Sequence, residues 1–269
     1  MPGCCLLPRF PMNIGEFFGF GGYSRTPEGY FSLAHLSFVT SLVILMLLCA
    51  LYLGKKFRHK SPREKNRCLM VCAILIDTLE LCKILIMCLR SHDPMGWTTE
   101  LPLFLCSIQL ITIPLAAFSK GRIKEASLDF VTIFGLVGAL LGTYFAGQNY
   151  ATYPVLSMDN VVSGLTHCIS GFCSLYILLS GMAGMKKKNI PITLSILGGF
   201  CLCAYVANHI LDYNYMFLRR GDGTPYDILY NLVKGNPVLY PLGVVALFIL
   251  CIWAYYSIYY KLSKKTVKS

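Results

Sequence analysis

The chain reads as an all-α polytopic membrane protein, a bundle of seven transmembrane helices. Apolar residues make up 55% of its 269 residues and charged ones only 14%, where a soluble domain carries roughly a quarter. Mean hydropathy is +0.59. Several apolar stretches approach or exceed the roughly 20 residues that cross a bilayer. Only helices satisfy the backbone of such uninterrupted runs.

The first span is expected at 32–53, running from SLAHLSF towards a basic cluster. The second, 68–90, carries Asp77, Glu80 and Lys83, three apart and therefore stacked along one helix face. The third, 101–118, opens with LPLFLCSIQL. Pro102 fits a first helical turn, where its missing N–H costs nothing. Cys106 follows a full turn further in, so the helix dipole helps it only modestly. The fourth and fifth spans are expected at 128–147 and 160–183, the latter bearing His167. The sixth, 192–218, carries Asn208, His209, Asp212 and Asn214, and the seventh is 238–260. Between these two, RRGDGTPYDILYNLVKGNP combines turn chemistry with apolar periodicity. That segment suits a short helix on the outer leaflet and equally an ordinary interfacial loop. The other connections are short and no internal repeat is visible, so one bundle without a separate soluble domain is expected.

Charge orients the bundle. Seventeen of the lysines and arginines fall in segments 54–67, 119–127, 184–191 and the C-terminal tail, against six on the opposite side. By the positive-inside rule the N-terminal tail, 1–31, lies outside and the basic tail, 261–269, is cytoplasmic. The net charge of +11 then reflects topology and contact with anionic lipid, and nucleic acid is not an expected partner. Eleven of the thirteen cysteines lie in or beside apolar runs, where cysteine behaves as a small hydrophobe. Cys4 and Cys5 lie in the short tail, where palmitoylation is conceivable. No cleavable leader is expected, and MNIGEFFGF from Met12 reads like a natural start.

Ionisable groups inside a bilayer are costly and point to function. At 1.5 Å per residue Cys106 lies roughly 8 Å below the outer end of its span, and His167 and Lys83 roughly 10 Å below theirs. His209 and Asp212 lie roughly 9–14 Å deep, and His35 sits near the outer mouth. Five helices thus bring polar groups to one outer layer, and the cytoplasmic half is expected to be nearly free of them. Glu80 can neutralise Lys83, Asp212 can orient His209, and Gln109 shares a face with Cys106. Each pair also suits a plain structural contact between helices; together they suggest a polar cavity open to the outside. A thiol needs a base to become nucleophilic, and Cys106 with His167 is the minimum set for covalent acyl transfer.

Several segments carry a family resemblance: SLAHLSF, LPLFLCS, Asn208 followed by NYMFLRR-x-DGTP from Asn214, and PVLYPLG. Their ordered set resembles the YwaF-like bacterial integral membrane proteins. That family is similar in turn to a eukaryotic seven-span acyltransferase that loads polyunsaturated chains onto ether phospholipids. There a cysteine at the start of span three and a histidine in span five are catalytic, and Cys106 and His167 correspond by position. The resemblance implies a cysteine acyl-enzyme, phospholipid and lysophospholipid partners and a bacterial plasma membrane. Bacterial relatives read LPLHLC where this chain has Phe104. The eukaryotic enzyme has a histidine where this chain has Ser107, and a small residue is expected where it has Asp212.

The expected function is a lipid acyltransferase, or a lipase if water is the acceptor, with no metal or cofactor. Lys83, or Asn214 with Asn208, would donate to the oxyanion, and His35 would orient a head group. A proton-coupled transporter would instead use Asp77, Glu80 and Lys83 with His209 and Asp212. A non-catalytic seven-helix protein is the third reading; a retinal pigment is not, because 238–260 has no lysine.

Overall fold

The computed structural model describes residues 14–182 and 185–266; Cys4, Cys5 and Met12 lie outside them. Its α-helices, in chain order, are α1 (Ile14–Phe18), α2 (Leu33–Phe57), α3 (Pro62–Ser91), α4 (Gln109–Phe118) and α5 (Gly121–Tyr144). There follow α6 (Gly147–Thr152), α7 (Met158–Leu179), α8 (Ile190–Ile210), α9 (Tyr226–Leu232) and α10 (Leu239–Thr266). No strand occurs among the described residues.

Among the described residues five segments are long and apolar enough to cross a membrane: Leu33–Phe57, Gly121–Thr152, Met158–Leu179, Lys187–Ile210 and Leu239–Lys261. Helix α3 has the length, at 30 residues, but Asp77, Glu80 and Lys83 interrupt its apolar character. Helix α4 has only 10 residues, about 15 Å, which is half of a bilayer core of ~30 Å. The third expected span is therefore helical only in its second half. The sixth is shorter too: α8 ends at Ile210, and Asp212 takes a positive φ of 49° that no helix continues through.

Helices α5 and α7 are the centre of the bundle. About half of their spanning windows is buried (50% and 56%), against 22% for α2, α8 and α10. Small residues explain the pairing, because they let helix backbones approach. A Cβ on Gly135 would come within 2.8 Å of the Ser170 carbonyl oxygen, and one on Gly171 within 2.8 Å of Ala139 Cβ. Across the same seam Ser174 Oγ donates to the Thr132 carbonyl at 2.7 Å and Ser170 Oγ to that of Gly135 at 3.3 Å. The outer helices turn Leu48, Leu51, Leu202, Ile210, Leu250 and Trp253 outward, an apolar surface far larger than a soluble monomer tolerates.

The two ends of the bundle differ. At one end Ser61 and Glu64 form a capping box that starts α3. There Lys124 closes α4 by donating to the carbonyls of Ala116 (2.7 Å) and Ala117 (3.2 Å), as a cation at a helix C-terminus should. Lys186 pairs with Glu125, and Arg122 donates to the Lys188 carbonyl. This end also holds a polar cluster that the sequence reading passed over. Asp129 is buried and accepts from Asn189 Nδ2 (2.9 Å) and the Tyr256 hydroxyl (2.8 Å), so that half of the bundle is not free of ionisable groups.

At the other end Arg90 of α3 grips Asp159 of α7 with two parallel bonds of 2.7 and 2.9 Å. Tyr23 donates to the same carboxylate at 2.5 Å. The segment from α1 to α2 is thereby tied over this end and is more than a loose tail.

Candidate functional site

Cys106 stands in a tight turn immediately before α4. Ile108 N–H donates to the Phe104 carbonyl (2.9 Å), Gln109 N–H to that of Cys106 (3.4 Å) and Leu110 N–H to that of Ser107 (3.0 Å). The expectation of a full turn of helix ahead of the thiol is corrected: the thiol sits at the N-terminal end, where the dipole acts most strongly. Cys106 also keeps part of its surface accessible.

Two glycines of α5, one helical turn apart, make room for the site. A Cβ on Gly138 would stand 3.3 Å from Cys106 Cα, and one on Gly142 would overlap the His167 ring. Cys106 and His167 therefore lie against one face of α5, one helical turn apart. His167 Nδ1 lies 2.7 Å from the Ser163 carbonyl one turn earlier on α7. A carbonyl only accepts, so Nδ1 carries the proton and Nε2 of the neutral ring is left as a lone pair. That Nε2 is buried and has no hydrogen-bond partner. Ser107 Oγ lies 3.9 Å from the thiol sulfur.

On α3, Lys83 binds Glu80 at 2.5 Å and Glu100 at 2.8 Å. Gln109, fully buried at the start of α4, accepts from Thr112 Oγ1 at 3.1 Å, and its Nε2 has no partner.

The remaining expected residues lie elsewhere. His35 is fully buried and saturated: Nδ1 accepts from Phe31 N–H and Nε2 donates to the Thr143 carbonyl, both at 3.1 Å. It ties α2 to α5 and offers nothing to a head group. His209 is exposed, with Nδ1 on the Tyr205 carbonyl at 2.9 Å. Asp212 pairs instead with Arg219 at 2.5 Å, so the expected His209–Asp212 couple does not form. Asn208 clamps Tyr215, accepting from its N–H (2.5 Å) and donating to its carbonyl (3.0 Å). Asn214 accepts from Arg219 N–H (2.9 Å) and donates to the Arg220 carbonyl and Asp222 (both 2.8 Å). Both amides thus brace a loop.

A family model described as the TMEM164 family matches residues 30–259. The chain belongs to the TMEM164 family. No curated protein matches it, and no solved structure does. The TMEM164 match takes in every helix from α2 to α9 and most of α10, with both Cys106 and His167 inside it.

Within this TMEM164-family chain the braced loop explains the motif NYMFLRR. The clamp holds Met216 and Phe217 at positive φ (54° and 55°), a costly conformation for large side chains. Phe217 is thereby set against Phe104, with ring centroids 5.6 Å apart, and stacked on Tyr226 at 5.5 Å. Phe104 is an aromatic packing residue two positions before Cys106, against Tyr213, Tyr215 and Phe217. Sequence reasoning missed Ser163, Glu100, Gly138 and Gly142. The four-residue spacing of Ser163 and His167, and of Gly138 and Gly142, was the available signal.

Proposed function

We propose that this protein is a membrane-embedded lipid acyltransferase working through a Cys106 thioester, with His167 as base. Seven crossings fit the reading: α3 and α4 join the five long apolar segments. The non-helical stretch 101–108 packs through Phe104 against Tyr213, Tyr215 and Phe217 of the braced loop, as irregular backbone at membrane depth requires. The basic connections gather at one end of the bundle, which supports a cytoplasmic location for that end and an outside N-terminus. Cys106 and His167 then lie in the outer half of the bilayer, in the cell membrane, near the ester bonds of outer-leaflet phospholipids.

The observation that carries this reading is the committed Nδ1 of His167, which leaves a buried, unpartnered Nε2 beside the only thiol at the start of α4. In the first half-reaction Nε2 takes the Cys106 proton and the sulfur attacks the acyl carbonyl. The ester C–O bond breaks, the lysophospholipid oxygen takes the proton from His167, and the acyl chain stays on sulfur. In the second, a lysophospholipid hydroxyl gives its proton to Nε2 and attacks the thioester; the C–S bond breaks and the thiolate recovers the proton. Water in the acceptor's place gives a lipase.

The proton-relay alternative needs His209 and Asp212 on one path with Asp77 and Glu80, and their separate locations weigh against it. The test is acyl exchange between a labelled phospholipid and an unlabelled lysophospholipid in liposomes. Cys106→Ala and His167→Ala should each lower the rate at least about 10³-fold, as loss of a nucleophile or its base does. Exchange that survives Cys106→Ala in folded protein would refute the reading.

A further inference from the structure

The turn that leads into α4 is wound more tightly than the helix it starts. Three successive amides each reach back three residues: Gln109 N–H donates to the Cys106 carbonyl (3.4 Å), Leu110 N–H to that of Ser107 (3.0 Å) and Ile111 N–H to that of Ile108 (2.9 Å). In such a winding the side chains at i and i+3 eclipse, about 6 Å apart along the axis. Cys106 and Gln109 therefore share one face, with Gln109 one winding further in. Helical side chains also lean towards the N-terminus, which is where Cys106 stands. Gln109 is fully buried, and its amide brings one acceptor oxygen and two N–H donors into that enclosure. The oxygen has a use: Thr112 Oγ1 donates to Oε1 at 3.1 Å. The nitrogen has none, for Nε2 is buried and has no hydrogen-bond partner among the described residues. An enclosed amide donor left unmade is costly and uncommon enough to need a reason. The other enclosed, unpartnered nitrogen near this turn is His167 Nε2, whose ring fills the space over Gly142, one turn of α5 beyond the Gly138 that faces Cys106. One is a lone pair suited to a thiol proton. The other is an N–H suited to the negative carbonyl oxygen of a tetrahedral intermediate, for which side-chain amides are established donors.

We infer that Gln109 is a catalytic residue whose side-chain amide donates a hydrogen bond to the acyl oxyanion formed on attack by Cys106. The inference rests on Cys106 as the nucleophile. As the S–C bond forms, the carbonyl π pair moves onto oxygen, where Gln109 Nε2–H meets it and keeps its proton. Collapse returns the pair, breaks the ester C–O bond and expels the lysophospholipid oxygen, which takes the proton held by His167. Thr112, by holding Oε1, fixes the plane of the amide.

The test uses the full chain in liposomes and reads two rates on the Cys106 peptide by mass spectrometry. One is acylation by a phospholipid with an alkyne-tagged chain. The other is alkylation by iodoacetamide, whose displacement at carbon develops no oxyanion. Gln109→Met keeps the unbranched shape and removes the amide; Gln109→Leu repeats the test with a second apolar shape. Thr112 Oγ1 retains the Ile108 carbonyl at 3.2 Å in both. Acylation should fall about 10²-fold while alkylation stays within about twofold. The melting temperature in detergent should hold or rise, because an unmade buried donor has been removed. Unchanged acylation would overturn the role of Gln109 alone. An equal fall in both rates, with a lowered melting temperature, would make Gln109 a packing residue and overturn it as well. A wild-type protein that alkylates but never acylates would overturn the nucleophile reading, and this inference with it.

Discussion

Gly142 decides whether His167 can stand beside Cys106, because any side chain there would occupy the space of the imidazole ring. Gly142→Ala should therefore displace His167 and destabilise the fold by about 1–3 kcal/mol through overpacking. Thermal unfolding in detergent reads the second effect, and lipid exchange should fall towards the His167→Ala level. Gly198, with nothing within 4 Å of its Cβ position, is the control. Gly198→Ala should be neutral or gain up to about 1 kcal/mol of helix propensity. That Cys106 and His167 lie at similar heights was readable from depth, roughly 8 and 10 Å below the outer ends of their expected spans. What made that pairing possible was not readable. A glycine pair one turn apart is common in membrane helices, and only the packed structure shows which residues fill the gap. His35, His209 and Asp212 mark the limit of the depth argument. Depth fixes height along a helix but says nothing of rotation about its axis, and His209 turns outward.

Helix α4 and the loop after α8 differ most from the spans expected. Hydropathy reads 101–118 as one run, yet a tight turn after Pro102 leaves only Gln109–Phe118 helical, with Pro114 inside that helix. Likewise 192–218 reads as one span, but the Asn208 clamp and the positive φ of Asp212 end the helix early. Both departures serve the same place: the shortened α4 exposes Cys106 at its start, and the braced loop walls it with Phe217. Asn208→Ala would leave the Tyr215 N–H unpaired in a buried setting, while the Tyr215 carbonyl keeps the Leu218 N–H, at about 1–3 kcal/mol for the lost partner. A lowered melting temperature is expected, with Asn208→Asp, which retains the acceptor, falling between. An unchanged melting temperature for Asn208→Ala would mean that the clamp is not what holds the loop. The short helix in 219–237 was one of the two readings that its periodicity and turn chemistry left open.

Across the whole bundle, the polar end with Asp129, Asn189 and Lys124 lies opposite the end where Arg90 grips Asp159. This asymmetry matches the count of basic residues, and the architecture of a polytopic helical bundle was plain from composition. Membrane-impermeant maleimide should label Ser24→Cys in intact cells, and Lys60→Cys only after permeabilisation. The reverse pattern would invert the bundle and move the site to the inner leaflet. Lipid chemistry itself turns on one covalent bond, so the most direct measurement is to look for it. Purified protein in liposomes is incubated with a phospholipid bearing a clickable acyl chain, and the cysteines are mapped for a hydroxylamine-labile adduct. An adduct on Cys106 that vanishes in His167→Ala is the predicted result; folded protein that carries no adduct on Cys106 across phospholipid classes would contradict it.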